Sequence, residues 1–319
     1  MARKLIACIQ NMTEAQRETI RAAALRHGFE PCFPARAQDA LPFAEEIEIA
    51  FCDSPVLSAA APGLRWQCTP SAGINQFTAP GAFLNPDAVL TNSSGAYGVT
   101  IAEHIIMVTL ELLRRQREYT EIVAGRRWIR ALPVRSIHGS RVTLLGTGDI
   151  GTEAAIRLRA FSPAGITGVS RSGRAVPVCD RVLPVSRLDE ALPETDLLIL
   201  SLPGTPETTR LLSAGRLGLL PDGAVIVNVG RGVTIDQAAL ERELRAGRLQ
   251  AALDVFEREP IPPEDPLWTC PNLLITPHNA GNMSLPYTVE RAVAMFLEDL
   301  EHYAAGRPLA HTADVRRGY

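Results

Sequence analysis

The sequence predicts an α/β chain built from doubly wound parallel sheets. Apolar runs without polar alternation recur through the middle of the chain, helical patterns separate several of them, and a glycine-rich turn joins the first run to a helix. The runs cover residues 141–145, 165–170, 196–202, 224–229, 251–256 and 273–276. A half-exposed antiparallel strand would alternate polar and apolar side chains, so these runs indicate parallel strands with helices on both faces.

Helices are expected between these strands, at residues 150–159, 213–219 and 236–246. The last of them has Asp236 as a candidate N-cap and is followed by Gly247, and both residues favour these boundaries. The alternation of strands and helices therefore predicts one complete α/β domain in this part of the chain.

The N-terminal part of the chain predicts a second, smaller α/β domain. Its strands are expected at residues 4–9, 47–51, 66–69 and 89–91, and a helix at 13–27. Residues 100–119 form the longest helical pattern, with a broad apolar stripe, and are expected to bridge the two domains. A last helix at 285–303 leaves no room for a third domain, so we expect it to pack back across the domain boundary.

Composition excludes several kinds of chemistry. The chain has 319 residues, of which 46% are hydrophobic and 21% charged, which suits one large or two ordinary domains. Lys4 is the only lysine among 32 basic residues, the others being arginines. A Schiff-base lysine, a phosphate-loop lysine or a lysine base would therefore have to lie at the very start of the chain, and we expect none of these three.

Histidine and cysteine spacing argues against a metal site. The six histidines and six cysteines form no pair with metal-ligand spacing, and we expect the cysteines to be free thiols. Neither a secretory leader nor a run of membrane-spanning length is found, so the protein is expected to be cytoplasmic, with no membrane partner. The formal net charge of −3 offers no basic face, and we expect no nucleic-acid partner.

The strongest local signal is a glycine-rich turn between a predicted strand and a predicted helix. Its sequence predicts a dinucleotide-binding turn, because such a turn needs a tight bend, close backbone approach to a pyrophosphate, and close packing of helix on strand. The alternative is a purely structural turn. The candidate cofactor-binding residues are Gly146, Gly148, Asp149, Ile150 and Gly151.

The end of the second predicted strand indicates which dinucleotide is bound. An NAD enzyme usually places Asp or Glu there to bind the ribose 2′-hydroxyl, whereas this chain has Ser170 and Arg171, followed by Ser172. A guanidinium between two serines suits a 2′-phosphate. NADP(H) is therefore the preferred cofactor and NAD(H) a possible one; the alternative is that Arg171 is an ordinary solvated loop residue.

Three segments with charged or polar side chains follow later predicted strands. They are residues 228–232, 254–260 and 276–281, which contain Arg231, carboxylates and His278. Ligands of open parallel sheets bind at the carboxyl ends of the strands, so these side chains are expected on one rim. Each segment alone could equally be a surface loop or a strand cap.

The motifs together resemble the D-isomer-specific 2-hydroxyacid dehydrogenase family. Beside the glycine turn and the three strand-end segments, the matching marks are residues 70–75 and 98–104, so the resemblance covers essentially the whole chain. It implies a Rossmann-like cofactor domain, residues 98–284, inserted into a discontinuous substrate-binding domain formed by residues 1–97 and 285–319.

The resemblance implies three catalytic roles. His278 would be the acid/base, Glu259 its carboxylate partner, and Arg231 the group that binds the carboxylate and carbonyl of the substrate. Glu257 competes for the carboxylate role, and Glu259 is preferred because the family residue precedes a proline. The backbone N–H groups of residues 72–74, namely Ala72, Gly73 and Ile74, would bind the other side of the substrate carboxylate.

Further cofactor contacts are implied by the same resemblance. Asp254 would bind the nicotinamide amide, Val229 would contribute backbone, and Thr100 and Pro203 would line the cofactor. For His104 a structural role is favoured. Trp268, Met283 and Tyr287 are candidates for lining the substrate pocket, although each could equally belong to the core.

Within the family, the serine-arginine loop and the short chain most resemble the glyoxylate/hydroxypyruvate reductase branch. The expected activity is reduction of a small 2-oxo acid to the D-2-hydroxy acid with NADPH. Residues 117–135, with Trp128 among arginines, resemble an arm that such homodimers extend onto the partner; the alternative is a surface loop. A dinucleotide-sensing regulator or corepressor on the same fold is the alternative function.

Overall fold

The structure, a computed structural model, describes residues 3–315. The chain divides into two compact units. The first unit contains the described residues up to Tyr97 and those from Asn282 onward, and the second unit is Gly98–Gly281. Residues 1–2 and 316–319 of the expected substrate-binding domain lie outside the described residues.

The described part of the chain contains twelve strands and eight α-helices, beside short 3-10 helices and loops. The strands are β1 Lys4–Cys8, β2 Glu30–Cys32, β3 Ile47–Cys52, β4 Trp66–Thr69, β5 Val89–Asn92, β6 Arg141–Leu145, β7 Gly165–Ser170, β8 Arg181–Pro184, β9 Leu197–Leu200, β10 Val225–Asn228, β11 Gln250–Leu253 and β12 Leu273–Ile275. The helices are α1 Glu14–Arg26, α2 Gly98–Leu113, α3 Gln116–Ala124, α4 Asp149–Arg159, α5 Leu188–Ala191, α6 Ala214–Leu219, α7 Gln237–Arg245 and α8 Pro286–Ala304.

The first unit contains a parallel sheet with the strand order β2-β1-β3-β4-β5. Its core includes a stack of aromatic rings between the sheet and α8. The Phe296 ring stacks on Phe51 with centroids 4.3 Å apart and on Trp66 at 5.1 Å, and Tyr303 lies 5.6 Å from Trp66. The last long helix is therefore packed on the sheet formed by the N-terminal part of the chain.

The second unit contains a parallel sheet with the strand order β12-β11-β10-β9-β6-β7-β8. Strands β9 and β10 are buried along their whole length, as expected for parallel strands with helices on both faces. Asp236 caps α7 by accepting a hydrogen bond from the Ala239 N–H at 2.9 Å. Since all seven strands are parallel, the loops that follow them emerge at one edge of the sheet.

The predicted fold class is confirmed, with two additions. Each strand expected from the sequence is present, and each sheet also gains an edge strand, β2 in the first unit and β8 in the second. Both are short and contain a proline, Pro31 and Pro184, and neither forms the continuous apolar run by which the other strands were identified.

The prediction of one long helix at residues 100–119 is wrong. The segment forms two helices, α2 and α3, which are separated at Arg115, where φ is +54°. The apolar stripe ends at Leu113, and the polar residues that follow give no packing reason to continue the helix. Arg115 instead forms an ion pair with Glu118 at 2.8 Å in the first turn of α3.

The six cysteines are free thiols. A search of residues 3–315 for a helix that is long and apolar enough to cross a membrane finds none.

We predict that Phe296→Ala lowers the free energy of unfolding by about 3–5 kcal/mol, because it removes the ring that stacks on Trp66 and Phe51. Urea denaturation measures the change. The control Leu25→Ala, at a side chain that is 60% exposed on α1, should change it by less than about 0.5 kcal/mol. A loss below about 1 kcal/mol for Phe296→Ala would mean that the stack contributes little to holding α8.

Candidate active site

His278 and Glu259 form a hydrogen-bonded pair in the second unit. His278 Nδ1 lies 2.6 Å from Glu259 Oε2, and Glu259 Oε1 accepts a hydrogen bond from the Phe256 N–H at 2.9 Å. A carboxylate can only accept, so it holds the proton of the imidazole on Nδ1. The His278 side chain is 51% exposed, which leaves the Nε2 edge of the ring as the one that can exchange a proton with a ligand.

The backbone of His278 is held in an unusual conformation. Its φ is +50°, in the left-handed region that residues other than glycine rarely occupy. The His278 N–H donates to the carbonyl oxygens of Asp254 at 2.9 Å and of Thr276 at 3.0 Å. These bonds fix the direction in which the histidine leaves the loop after β12.

Asp254 holds this loop from both sides of His278. Its Oδ1 accepts hydrogen bonds from the Thr276 hydroxyl at 2.6 Å and from the Asn279 N–H at 3.0 Å, and its Oδ2 accepts from the Ala280 N–H at 3.0 Å. Only 2% of Asp254 is exposed. The sequence indicated a cofactor contact for this residue and did not reveal that its carboxylate orders the histidine loop.

His104, on α2, contacts the same network. Its Nε2 lies 3.4 Å from the Thr276 hydroxyl. Burial lowers the pKa of His104 below its usual value, while the negative charges of Asp254 and Glu111 act in the opposite direction. A partly buried imidazole that contacts this network is compatible with the structural role that was favoured from the sequence.

Arg231 follows β10 and lies between two glycines. Burial lowers the pKa of its guanidinium, and the negative charge of Glu259 opposes this effect. A Cβ on Gly232 would overlap the backbone of Phe256, and one on Gly230 would lie 2.6 Å from the Leu202 carbonyl oxygen. This close backbone packing brings the loops that carry Arg231 and Glu259 together.

Glu257, the other candidate for the carboxylate partner of His278, lies beside Arg210 instead. Its side chain lies 3.7 Å from Arg210, and its N–H donates to Gln237 Oε1 at 3.2 Å. Glu259, rather than Glu257, is therefore the carboxylate next to His278.

The glycine turn has the geometry that a dinucleotide requires. Gly146 has a φ of +105°, and a Cβ there would lie 2.8 Å from Ser201 Oγ, whereas a Cβ on Gly151 would collide with the Gly146 carbonyl oxygen. Around Gly148 the space is open within 4 Å of such a Cβ. Within this unit, as far as the structure describes it, the N–H groups of Gly148 and Ile150 make no hydrogen bond, so they are available to a pyrophosphate.

Asp149 has a structural contact that the sequence did not reveal. A Cβ on Gly98 would lie 2.5 Å from both carboxylate oxygens of Asp149, so the side chain lies against the first residue of α2. Thr100 is buried in the first turn of the same helix. The carboxylate of Asp149 is thus directed at a helix start, where a negative charge is favourable.

Arg171 is exposed immediately after β7. Ser170 Oγ accepts a hydrogen bond from the Gly173 N–H at 3.2 Å, and Ser172 Oγ accepts one from the Arg174 N–H at 3.3 Å, so both serines order the turn. A hydrogen bond from Thr205 and the positive charge of Arg171 contribute to a lowered pKa of Glu207. Glu207 is an acidic neighbour that sequence spacing gave no reason to expect.

Two other expected cofactor contacts also follow strands of this sheet. Pro203 lies in the loop after β9, and its carbonyl oxygen accepts a hydrogen bond from the Thr208 hydroxyl at 2.6 Å. Val229 follows β10 and is 6% exposed, and its N–H donates to the Leu200 carbonyl oxygen at 3.1 Å.

The expected substrate loop, residues 70–75, lies in the first unit and follows β4. It contains Ala72, Gly73 and Ile74, whose N–H groups make no hydrogen bond within the described part of that unit. Three successive free N–H groups can bind an anion.

Trp268, Met283 and Tyr287 were each expected either to line the substrate pocket or to belong to the core. Trp268 is 49% exposed and Tyr287 is 41% exposed, so neither belongs to the core. Met283 is half-buried, with its Sδ 3.2 Å from the Tyr97 hydroxyl in the same unit.

Comparisons with known proteins agree with this geometry. Residues 106–280 match the model of the D-isomer specific 2-hydroxyacid dehydrogenase, NAD binding domain. A glyoxylate/hydroxypyruvate reductase A of Klebsiella pneumoniae is 32% identical over 224 residues, which cover 70% of each chain.

Solved structures give the same result over nearly the whole length. A D-isomer specific 2-hydroxyacid dehydrogenase family protein from Aeromonas salmonicida is 32% identical, with a TM-score of 0.88 over 99% of this chain and 100% of that one. An NADPH-dependent glyoxylate/hydroxypyruvate reductase from Sinorhizobium meliloti, in complex with NADP and sulfate, is 28% identical, with a TM-score of 0.83 over 100% of both chains. The chain therefore belongs to the D-isomer specific 2-hydroxyacid dehydrogenase family and is an NAD(P)-dependent oxidoreductase.

Proposed function

We propose that the protein reduces a small 2-oxo acid of the glyoxylate/hydroxypyruvate type to the D-2-hydroxy acid, with NADPH as the reductant. The observation that carries this proposal is the pairing of His278 with Glu259 in the same unit as Arg231 and the glycine turn. The names of the Klebsiella and Sinorhizobium relatives support the substrate class, and the latter supports NADPH.

The reaction needs a hydride at the carbonyl carbon and a proton at the carbonyl oxygen. NADPH supplies the hydride when it is bound. Arg231 would bind the carboxylate of the substrate and stabilise the negative charge that grows on the carbonyl oxygen. His278 would donate its Nε2 proton to that oxygen, and Glu259 would stabilise the ring at Nδ1 as the proton leaves and returns.

The site residues are proposed in the roles expected from the sequence, with two refinements. The turn formed by Gly146, Gly148, Asp149, Ile150 and Gly151 would bind the pyrophosphate, with Gly148 and Ile150 donating their backbone N–H groups. Thr100, Pro203, Val229 and Asp254 would contact the rest of the cofactor, and Ala72, Gly73 and Ile74 the substrate. The refinements concern the carboxylates of Asp149 and Asp254, which also make structural contacts with α2 and with the histidine loop.

The proposal also covers the roles of the two units and the cellular compartment. Substrate binding is assigned to the first unit and cofactor binding to the second, and the protein is proposed to act in the cytoplasm. A dinucleotide-sensing regulator receives no specific support, because a protein that only senses a cofactor does not need the His278–Glu259 pair.

We predict that His278→Ala lowers kcat for 2-oxo acid reduction by about 10²- to 10⁴-fold, because the proton donor is lost. The affinity for NADPH, measured by fluorescence titration, should change by less than about twofold. Glu259→Gln should also lower kcat. The matched control is Glu257→Gln in the same loop, which should keep nearly full activity because Glu257 lies beside Arg210. Full turnover by His278→Ala would exclude it as the acid/base.

We predict that Arg171→Ala raises the KM for NADPH about tenfold and leaves that for NADH unchanged, because only the 2′-phosphate needs the guanidinium. Arg171→Asp should shift the preference further toward NADH. Steady-state rates with both cofactors measure the change. Arg242→Ala, at an exposed arginine of α7, serves as the control and should alter neither value. A wild-type enzyme that prefers NADH tenfold would contradict this use of Arg171.

A homodimer formed through residues 117–135 is a further part of the proposal. Arg117 Nη1 donates to the Leu273 carbonyl oxygen at 3.3 Å, and Arg135 Nη2 donates to Gln250 Oε1 at 2.9 Å, so both ends of this segment are anchored in the second unit. Between them Trp128 is 91% exposed, and Ile129 and Val134 are more than two-fifths exposed. An exposed apolar segment of this kind is typical of an interface.

We predict that the wild-type protein sediments as a dimer and that Trp128→Glu combined with Ile129→Glu shifts it to a monomer, because two charges would have to be buried at the interface. Analytical ultracentrifugation over a range of protein concentrations measures the shift. Trp268→Glu, at the other strongly exposed tryptophan of the second unit, is the control and should leave the dimer intact. A wild-type monomer at every concentration would refute the interface.

A further inference from the structure

We propose that Asp53 is a positioning residue that holds the substrate loop in the conformation that binds the substrate carboxylate. This inference rests on the proposed function, and it adds a residue that belongs to none of the sequence motifs. Asp53 directly follows β3, in the first unit, and the loop it contacts follows the neighbouring strand β4.

Three side chains around the loop donate hydrogen bonds to the Asp53 carboxylate. The Thr69 hydroxyl donates to Oδ1 at 2.7 Å and the Gln76 amide donates to Oδ1 at 2.5 Å, while the Ser71 hydroxyl donates to Oδ2 at 2.8 Å. These donors bracket residues 72–74 on both sides. One carboxylate therefore fixes the entry and the exit of the segment that is expected to bind the substrate.

The carbonyl oxygens of the loop are held from another direction. Four successive carbonyls accept hydrogen bonds from the end of β5 and the residues after it. The donors and acceptors are Ser93 Oγ to Thr69 at 3.1 Å, Tyr97 OH to Pro70 at 2.7 Å, Ser93 N to Ser71 at 3.1 Å and Asn92 Nδ2 to Ala72 at 2.8 Å. The carbonyl groups of residues 69–72 are thus hydrogen-bonded to residues at and after the end of β5.

These contacts leave the backbone N–H groups of residues 72–74 available to a ligand. With the carbonyls engaged on one side and the side chains of Thr69, Ser71 and Gln76 engaged by Asp53, the N–H groups of residues 72–74 keep no partner within the described part of the unit. Free N–H groups whose positions are already fixed bind an anion without an ordering cost at the moment of binding. Asp53 supplies that order although its own charge repels an anionic substrate.

The two effects of Asp53 have opposite signs, which makes the inference testable. If Asp53 acts by holding the loop, its removal raises the KM for a 2-oxo acid. If its charge matters more, removal lowers the KM, because a repulsion is relieved. The substrate carboxylate is bound equally before and during hydride transfer, so a loop effect changes KM and leaves kcat nearly constant.

The experiment compares Asp53→Ala and Asp53→Asn with Asp87→Asn, which removes a negative charge from an exposed position of the same unit. We expect Asp53→Ala to raise the KM for glyoxylate or hydroxypyruvate about tenfold, with kcat within about threefold and NADPH affinity unchanged. Asp53→Asn should have a smaller effect, because a carboxamide oxygen still accepts. Asp87→Asn should not change KM. A KM that is unchanged or lowered in Asp53→Ala overturns the inference.

A double-mutant cycle separates positioning from a general loss of structure. Ser71→Ala removes one of the three donors, so its effect on KM should be smaller in the Asp53→Ala background than in the wild type. Thermal melting of each variant should stay close to the wild type. Fully additive effects of Asp53→Ala and Ser71→Ala would contradict the proposed contact.

Failure of the proposed function gives a different result. If the wild-type protein reduces no 2-oxo acid, calorimetric titration of the NADPH-bound protein with oxalate, a carboxylate of similar shape, tests the loop directly. About tenfold weaker oxalate binding by Asp53→Ala supports the inference even then. Equal binding by both proteins, or no binding by the wild type, overturns it.

Discussion

Parallel strands end at the same edge of a sheet, and the arrangement of this molecule depends on that constraint. In the second unit it brings the loops after β6, β10, β11 and β12 to one rim, so that the glycine turn, Arg231, Glu259 and His278 share one side of the sheet although more than a hundred residues separate the first from the last. The glycines at these strand ends permit the backbone contacts that close the rim, as at Gly232 against Phe256. The candidate site therefore depends on the order of the strands in the sheet as well as on the identity of its residues.

Both units use the same device to order a functional loop. A carboxylate at the end of one strand accepts three hydrogen bonds from the end of a neighbouring strand or the loop that follows it. Asp254, after β11, holds the histidine loop, and Asp53, after β3, holds the loop that contains residues 72–74. A carboxylate suits this task because it offers several acceptor positions and no competing donor. In each case the residue that orders the loop differs from the residues expected to touch the substrate.

Much of the fold and of the site could be predicted, because the information is local. Continuous apolar runs identified the buried strands, the Gly146–Gly151 spacing identified the turn, and the charged segments after β10 to β12 identified the rim. Edge strands β2 and β8 were missed because they are short and contain proline. The break at Arg115 was missed since a helical period continued formally beyond the last buried residue. The roles of Asp53, Glu207 and the Asp149 carboxylate depend on contacts between residues distant in sequence, for which one sequence carries no spacing signal.

The proposed function depends on direct transfer of hydride from NADPH to the carbonyl carbon of a 2-oxo acid, with the proton supplied by the protein. The most direct measurement follows deuterium from NADPH that is deuterated at the transferring position of the nicotinamide ring, with hydroxypyruvate as substrate, by mass spectrometry and chiral chromatography of the product. The proposed reaction predicts one deuterium at C2 of D-glycerate. A product without deuterium at C2, a product of the opposite configuration, or no product with any 2-oxo acid would contradict it.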